Sequence, residues 1–284
     1  MARRDTESAR ATVKTRVNTP MSRPLLYAHR GAAVERPENT LIAFARALEL
    51  GADALETDAH LTLDGQVVLS HDPDGRRTAG VARAIKETTW ADLRSWDVGQ
   101  QFVDAHGERP FSGIHIPTLE SLLAEYPGVP INVDLKEHST RMVEATLGLL
   151  RRLRDEERVT LASFDTKTMR AVRRAGYRGR TCLAQKEVAE IATLPGAVWR
   201  RLSLRGSVAQ IPSRLGPFRL GERWMIERCH AVGVPVEYWT IDEPAEARRL
   251  LSLGADGIMT NDPGAIAPVF REWNRPVLPS SGAE

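Results

Sequence analysis

Short strand-like runs and amphipathic helical stretches alternate along nearly the whole chain, and few architectures accept that pattern. The runs begin at Leu25 and at Ala54, continue in VPINVDLKE, VTLASF, TCLAQ and GSVAQIP, and end with PVEYWTI and Asp256–Thr260. Helical spacing fills most of the gaps. One example is TLIAFARALEL, where Asn39 or Thr40 serves as the N-cap and Gly51 as the stop. Others cover Thr140–Glu157, Thr166–Ala175, Glu222–Ala231 and Pro244–Leu253. Strands that alternate with helices pair in parallel. Eight such units in roughly 250 residues predict an α/β fold closed as a (β/α)8 TIM barrel. An open doubly wound sheet usually has fewer strands and often a Gly-rich phosphate loop. Neither G-x-G-x-x-G nor a Walker-type GK[ST] occurs here.

The barrel is expected over 23–273, with a small insertion after the second strand at about 73–116, where Gly, Arg and Asp interrupt the pattern. Within that insertion, Trp90, Leu93 and Trp96 predict a helix near Lys86–Trp96. Residues 1–22 hold Arg3, Arg4, Arg10, Lys14 and Arg16 but no apolar segment of the kind a secretory signal needs. Asp5 and Glu7 weaken a transit-peptide reading, so a disordered extension is expected, with Met21 as an alternative start. Residues 274–284 read as a flexible tail. Nothing approaches the roughly 18 apolar residues of a membrane span. A net charge of +2 with 27% charged residues lacks the basic excess of a nucleic-acid binder. Cys182 and Cys229, far apart in sequence, read as reduced buried thiols of a cytoplasmic protein.

The stretch ALETDAHLTLDGQVVLSHD carries two carboxylates, Glu56 and Asp58, on one face of a strand. Asp64-Gly65 then turns the chain back toward His71. A two-residue turn there would place Asp58 directly opposite His71. The plainer reading makes the two acids the solvated face of an edge strand. Other strand ends weigh against it, because a barrel gathers its chemistry at the carboxyl ends of its strands. Those ends offer His29-Arg30, Asp134 and Lys136, Ser163-Phe164, Tyr238-Trp239-Thr240 and Thr260-Asn261-Asp262. Three carboxylates without a nearby cysteine suit a hard divalent cation, Mg²⁺ or Ca²⁺. Arg30 and Lys136 suit an anion beside it, phosphate above all. Two histidines can share general-base and general-acid duties near neutral pH. Taken singly, Lys136 is an ordinary surface cation and His29 an ordinary structural histidine; it is the combination that points to a site.

The segments AHRGAAVERPENTLIAF, ALETDAHLTLDGQVVLSHD, IPTLESLL, NVDLK, SF, YWTI and ADGIMTNDP resemble the glycerophosphodiester phosphodiesterase family from Tyr27 to about Pro263. The resemblance implies the same barrel and insertion, and metal-dependent hydrolysis of glycerophosphodiesters to glycerol 3-phosphate and an alcohol. It puts His29 and His71 at the paired catalytic positions, with His29 favoured as base and His71 as acid. Glu56 and Asp58 fall on metal-ligand positions, and Arg30 and Lys136 on phosphate contacts. Where the family usually carries Glu-x-Lys, this chain has Asp134-Leu135-Lys136. The shorter Asp134 would then ligate through shifted geometry or a water. Glu38 supports the site through Arg30 or the metal shell, and Trp239 walls the glycerol or alcohol moiety. The nucleophile is water or the substrate's own glycerol 2-hydroxyl, the latter giving a cyclic phosphate first. One alternative is a lysophospholipase D or sphingomyelinase D-like enzyme acting on lipids. It is invited by the acid-free stretch 191–221, which sets Trp199 and Phe218 among five arginines. A solvated loop facing an anionic pocket is the simpler reading of that stretch, which leaves peripheral lipid contact open. The other alternative, a binding protein without turnover, is disfavoured by the retention of both histidines.

Overall fold

The computed structural model describes residues 23–199 and 204–273. The expectations for the 1–22 extension, for Met21 and for the 274–284 tail lie outside these residues, as do Arg200 and Arg201. Eight parallel strands run in order around the barrel: β1 Leu25–His29, β2 Ala54–Leu61, β3 Ile131–Leu135, β4 Val159–Ala162, β5 Arg180–Thr181, β6 Ala209–Pro212, β7 Val236–Trp239 and β8 Gly257–Thr260. Pairing runs unbroken from β5 through β1 and β8 to β6. The circle closes where Cys182 bridges Val208 and the Leu183 N–H donates to the Val208 carbonyl at 2.7 Å. The expected (β/α)8 barrel is therefore the observed one, with GSVAQIP supplying its sixth strand. The TCLAQ run is shorter than expected. It pairs regularly only at Arg180–Thr181, before Ala184 begins the next helix.

A barrel helix follows each strand, apart from short helical turns in the connections: α1 Leu41–Leu50, α2 Leu119–Glu125, α3 Thr140–Leu153, α4 Thr166–Arg174, α5 Gln185–Thr193, α6 Arg223–His230, α7 Pro244–Leu253 and α8 Pro263–Trp273. Their ends follow from local chemistry. The Thr40 hydroxyl accepts from the Ala43 N–H to start α1, and Gly51 at φ +101° stops it. Ser139 caps α3 in the same way, and Arg154 in the left-handed region ends it earlier than the apolar spacing predicted. Buried Met142, Leu147 and Leu150 hold α3 to the barrel, each contributing about 1.5–3 kcal/mol.

Strand alternation divides the side chains into two sets. Leu55, Val133 and Leu161 point outward and pack with helix residues such as Leu122 and Leu150, and Ile211, Tyr238 and Ile258 do so with Met225 and Leu250. Glu56, Asp58, Asn132 and Asp134, the alternate positions, line a cavity at the carboxyl end of the barrel. One residue pair deeper, the fully buried Glu237 accepts from the Tyr27 hydroxyl at 3.0 Å, Arg180 Nη2 at 3.1 Å and Gln210 Nε2 at 2.9 Å. Gly257 makes room for it, since a Cβ there would lie 2.9 Å from Glu237 Cγ.

The insertion has a small core of its own, built on Val68, Ile85, Leu93 and Trp96. The helix expected near Lys86–Trp96 divides into a 3₁₀ turn at Ile85–Glu87 and a single turn at Trp90–Leu93. Extended Thr88 and Thr89 separate them, and the Thr89 hydroxyl caps the second. The hairpin after β2 departs from the expected register. Ala59 pairs with Leu69 and Leu61 with Val67, and the Ser70 N–H donates to the Asp58 carbonyl, so Ser70, not His71, is opposite Asp58. The turn carries one extra residue: Thr62 and Gln66 bond across it, and only Gly65 adopts positive φ, +86°. The Asp64 carboxylate accepts from the Thr62 hydroxyl and the Trp90 N–H, which ties the turn to the insertion. A two-residue primed turn would need positive φ at both loop positions.

Candidate active site

β1 ends in His29, with Arg30 just beyond it, and its register sets His29 beside Glu56. β2 and β3 set Asp58 beside Asp134. Parallel pairing thus brings residues more than seventy positions apart in sequence onto one rim. β2 is interior, with β1 and β3 as neighbours, and Glu56 and Asp58 are only 4% and 1% exposed. They are not the solvated face of an edge strand. His29, Arg30, Glu56, Asp58, His71, Asp134, Lys136 and Trp239 all line one cavity of about 720 Å³. Glu38 does not. It stands behind Arg30, accepting from its Nη1 at 3.1 Å while Arg77 holds both of its oxygens.

Each side chain is fixed by specific partners. Asn261 Nδ2 donates to Asp242, which orients the amide so that its Oδ1, 2.7 Å from His29 Nδ1, accepts the ring proton. The lone pair of the neutral imidazole is then on Nε2. Burial, helped by the neighbouring Arg30 cation, holds His29 below the ordinary histidine range. His71 sits across from it in circumstances of another kind. It is more exposed, and its Nδ1 lies 2.8 Å from Asp72 Oδ1. Arg77 Nε donates to the other Asp72 oxygen at 2.6 Å. Burial works against the Asp72 charge, but the bonds from Arg77 and His71 outweigh it and depress its pKa.

Arg30 is held in the left-handed region at φ +58°. Its Nε lies 3.0 Å from Asp58 Oδ2, though off the axis of a proper hydrogen bond. Asn39, also at positive φ, donates to the same oxygen at 3.1 Å and accepts the Thr57 hydroxyl. The Lys136 ammonium bridges Asp58 Oδ1 at 2.9 Å and Asp134 Oδ2 at 2.6 Å. Burial opposes the charge on Asp58, and Lys136 and Arg30 more than offset it, so the carboxyl stays below its usual range. Glu56 is different. Burial first, then the charges of Asp58 and Asp134, push it well above the carboxylate range.

The donor set is therefore all oxygen and anionic, as a hard divalent cation requires. Glu56 in particular is a buried carboxyl that accepts the Arg30 N–H at 3.1 Å and, among the described residues, is paired only with His29, Nε2 to Oε2 3.8 Å. These residues fit such an ion, but not as a preformed cage. Among the described residues no group of three His, Cys, Asp or Glu side chains is arranged to hold one. The physical reason is Lys136, whose ammonium occupies the space between Asp58 and Asp134 and supplies their compensating charge.

Asn39, which the sequence offers only as a helix cap, and Asp72, Asn132 and Gln210 are site residues that the sequence reading does not name as such. Asn132 lies two before Asp134, so strand alternation alone could have found it. Gln210 Nε2 donates to Asn132 Oδ1 from the far side of the barrel, a contact no local pattern encodes. Trp239 and Phe164 meet edge to face, ring centres 5.6 Å apart, and Lys136 lies over the Phe164 ring.

Comparison with known proteins bears on the family and the fold. The model of the glycerophosphoryl diester phosphodiesterase family matches residues 29–265. The glycerophosphodiester phosphodiesterase of Caldanaerobacter subterraneus subsp. tengcongensis is 31% identical over 255 residues, covering 87% of this chain and 98% of that protein. Lysophospholipase D GDPD1 of Homo sapiens is 27% identical, covering 83% of this chain and 82% of that one. An Oleispira antarctica phosphodiesterase, solved with its product sn-glycerol-3-phosphate, shares the fold with a TM-score of 0.72 at 23% identity. That match covers 87% of this chain and 97% of its own.

Proposed function

As the chain belongs to the glycerophosphoryl diester phosphodiesterase family and is an enzyme of that class, we propose that it hydrolyses glycerophosphodiesters to glycerol 3-phosphate and an alcohol with a divalent cation, Mg²⁺ or Ca²⁺. The observation that carries this reading is the convergence of two differently supported histidines, two cations and three carboxylates on one cavity wall. His29, neutral and with Nε2 available, takes the proton of the attacking hydroxyl, either water or the glycerol 2-hydroxyl. The new P–O bond forms as the bond to the alcohol breaks. His71, its ring fixed by Asp72, delivers a proton to the departing oxygen. Arg30 and Lys136 face the charge that grows on the phosphoryl oxygens, where fixed cations in a partly buried site act most strongly. Glu56, Asp58 and Asp134 would hold the cation, which when bound adds positive charge at those same oxygens. The Trp239 ring forms a wall for the organic part of the substrate.

The test is ³¹P NMR product analysis with glycerophosphocholine, before and after EDTA, followed by readdition of Mg²⁺ or Ca²⁺. Glycerol 3-phosphate and choline should appear, stop with chelator and resume with metal. No release with either metal would refute the hydrolytic reading. Turnover indifferent to EDTA would refute the cation alone. A transient cyclic phosphate would identify the 2-hydroxyl as nucleophile.

A further inference from the structure

Arg30 and His71 reach the cavity from separate parts of the chain, and a carboxylate stands behind each. Glu38 Oε1 accepts from Arg30 Nη1 at 3.1 Å, and Asp72 Oδ1 lies 2.8 Å from His71 Nδ1. Both carboxylates end on the same third group. Arg77 Nη1 and Nη2 donate to Glu38 Oε2 at 2.8 Å and Oε1 at 2.7 Å, and Arg77 Nε donates to Asp72 Oδ2 at 2.6 Å. One guanidinium thus joins two acids that each hold a group lining the cavity. Along the row His71, Asp72, Arg77, Glu38 and Arg30, the charges alternate whenever His71 carries the proton it is to deliver.

Arg77 does not belong to the barrel. It sits in the helical turn Arg76–Ala79, which closes a short hairpin where Asp74 pairs with Ala84 and Gly75 with Val81. Gly75 lies so near the Trp96 ring that a Cβ there would come within 2.7 Å of it, and Trp96 is part of the insertion's core. The insertion's own packing therefore sets where the guanidinium stands. The Arg77 side chain is 50% exposed, and ion pairs so open to water add little to stability. Geometry is what this residue supplies. Its planar fork fixes the distance and the angle between two carboxylates, which a lysine ammonium does not.

We propose that Arg77 is a positioning residue for the phosphodiesterase reaction, holding Arg30 and His71 in one fixed relation across the phosphoryl group. The inference rests on the hydrolytic reading above and gives the insertion its task in it. Without the guanidinium, Glu38 and Asp72 share the vacated space with no cation between them. Glu38 is then free to pull Arg30 away from the phosphoryl oxygens. Asp72 is free to turn toward water, and the His71 ring loses the acceptor that fixes its tautomer and its angle. Displacements of about 1 Å among such groups cost about 100-fold in rate.

The experiment compares Arg77→Met and Arg77→Lys with Glu38→Gln and Asp72→Asn, which each cut one branch. Arg77→Met should lower kcat for glycerophosphocholine about 100-fold with its urea midpoint unchanged. Arg77→Lys, which keeps the charge and loses the fork, should stay at least about tenfold below wild type. The second substrate is glycerol p-nitrophenyl phosphate, whose leaving group needs no proton. On it, Asp72→Asn should lose most of its deficit, Glu38→Gln should remain slow, and Arg77→Met should match Glu38→Gln. Wild-type kcat in Arg77→Met, or a deficit of equal size on both substrates, would overturn the proposal and leave the hydrolytic reading standing. The ¹H–¹⁵N NMR spectrum of the imidazoles, taken above their titration range, reads the link without turnover. His71 should keep its proton on Nδ1 in wild type and mix tautomers in Arg77→Met; an unchanged tautomer would overturn the proposal. That NMR change in a protein that hydrolyses neither substrate with Mg²⁺ or Ca²⁺ would support the Arg77 link and overturn the hydrolytic reading.

Discussion

The carboxylate of Glu237 should be among the most costly single groups to neutralise in this protein. It is wholly buried, and three donors from three other strands end on it: the Tyr27 hydroxyl, Arg180 and Gln210 Nε2. Glu237→Gln keeps the shape and one acceptor oxygen. It leaves Arg180 without its counter-charge and sets two amide donors facing each other at Gln210. Breaking a buried ion pair from one side costs about 3–5 kcal/mol. The Arg180 side chain is 29% exposed and can recover some hydration, which places the expectation at about 3 kcal/mol, near the low end of that range. For a barrel of this size that corresponds to a fall in Tm of about 6–12 °C. Urea titration followed by circular dichroism measures it, with thermal unfolding as a second reading. The companion is Arg180→Met with Glu237→Met, which removes both charges and should recover most of the loss. A single variant within about 0.5 kcal/mol of wild type, where ordinary surface changes fall, would refute the argument. So would a double variant no more stable than the single.

His29→Ala and His71→Ala should each lower kcat by about 10²–10⁴-fold without changing the circular dichroism spectrum. The two histidines are separable, because a p-nitrophenyl phosphodiester needs no proton on its leaving group. That substrate should restore His71→Ala toward wild type and leave His29→Ala slow; the opposite pattern would exchange their roles. On the far side of the barrel, His230 Nε2 lies 2.7 Å from Asp256 Oδ2. The bond and the charge of Asp256 hold its pKa above the ordinary histidine value, against a smaller effect of burial. A group whose folded pKa is raised stabilises fully below its unfolded pKa and loses that contribution as pH climbs through the folded one. His230→Gln should therefore destabilise at pH 5.5 and be nearly neutral at pH 9. Equal losses in urea titrations at the two pH values would show that the pair is not the source.

The fold was readable because period two and period 3.6 each recur without conflict along most of the chain. Pro244–Leu253 is the clearest instance: Pro at the first turn and Gly254 at the end fix both limits, and the helix has those limits. Errors arose where a side chain departs from its local role. Asp64 was read as half of a two-residue turn, but its carboxylate holds the Thr62 hydroxyl and the insertion, and the register slips by one. In the insertion, Thr88 and Thr89 break a helix that tryptophan spacing alone would continue. Within the site, His29, Glu56, Asp58, Asp134 and Lys136 could be placed from strand ends and alternation. Asn261, Gln210 and Glu237 could not be assigned their tasks, because each acts on a strand that only the closed barrel brings near. Glu38 does support the site through Arg30, as its sequence reading has it, but from behind the cavity wall, where Arg77 holds both of its oxygens.

The charges on the rim bear on the cation proposed for it. Three carboxylates, Glu56, Asp58 and Asp134, face two fixed cations, Arg30 and Lys136, which leaves this part of the wall one charge short of neutral. A phosphodiester brings a second negative charge into the same partly buried space, where uncompensated charge is expensive. The protein's own response is visible in Glu56, pushed by burial and by its two acidic neighbours toward the protonated form, and in Lys136, shared between Asp58 and Asp134. A divalent cation on the carboxylates would restore neutrality with substrate present. Lys136 would then no longer need to bridge two acids, and its ammonium could meet the phosphoryl oxygens. In that arrangement the short Asp134 is no defect. Its carboxylate is reached by the ammonium of Lys136, the residue just past the end of β3, so one lysine would serve the carboxylates when the site is empty of substrate and the phosphate when it is filled.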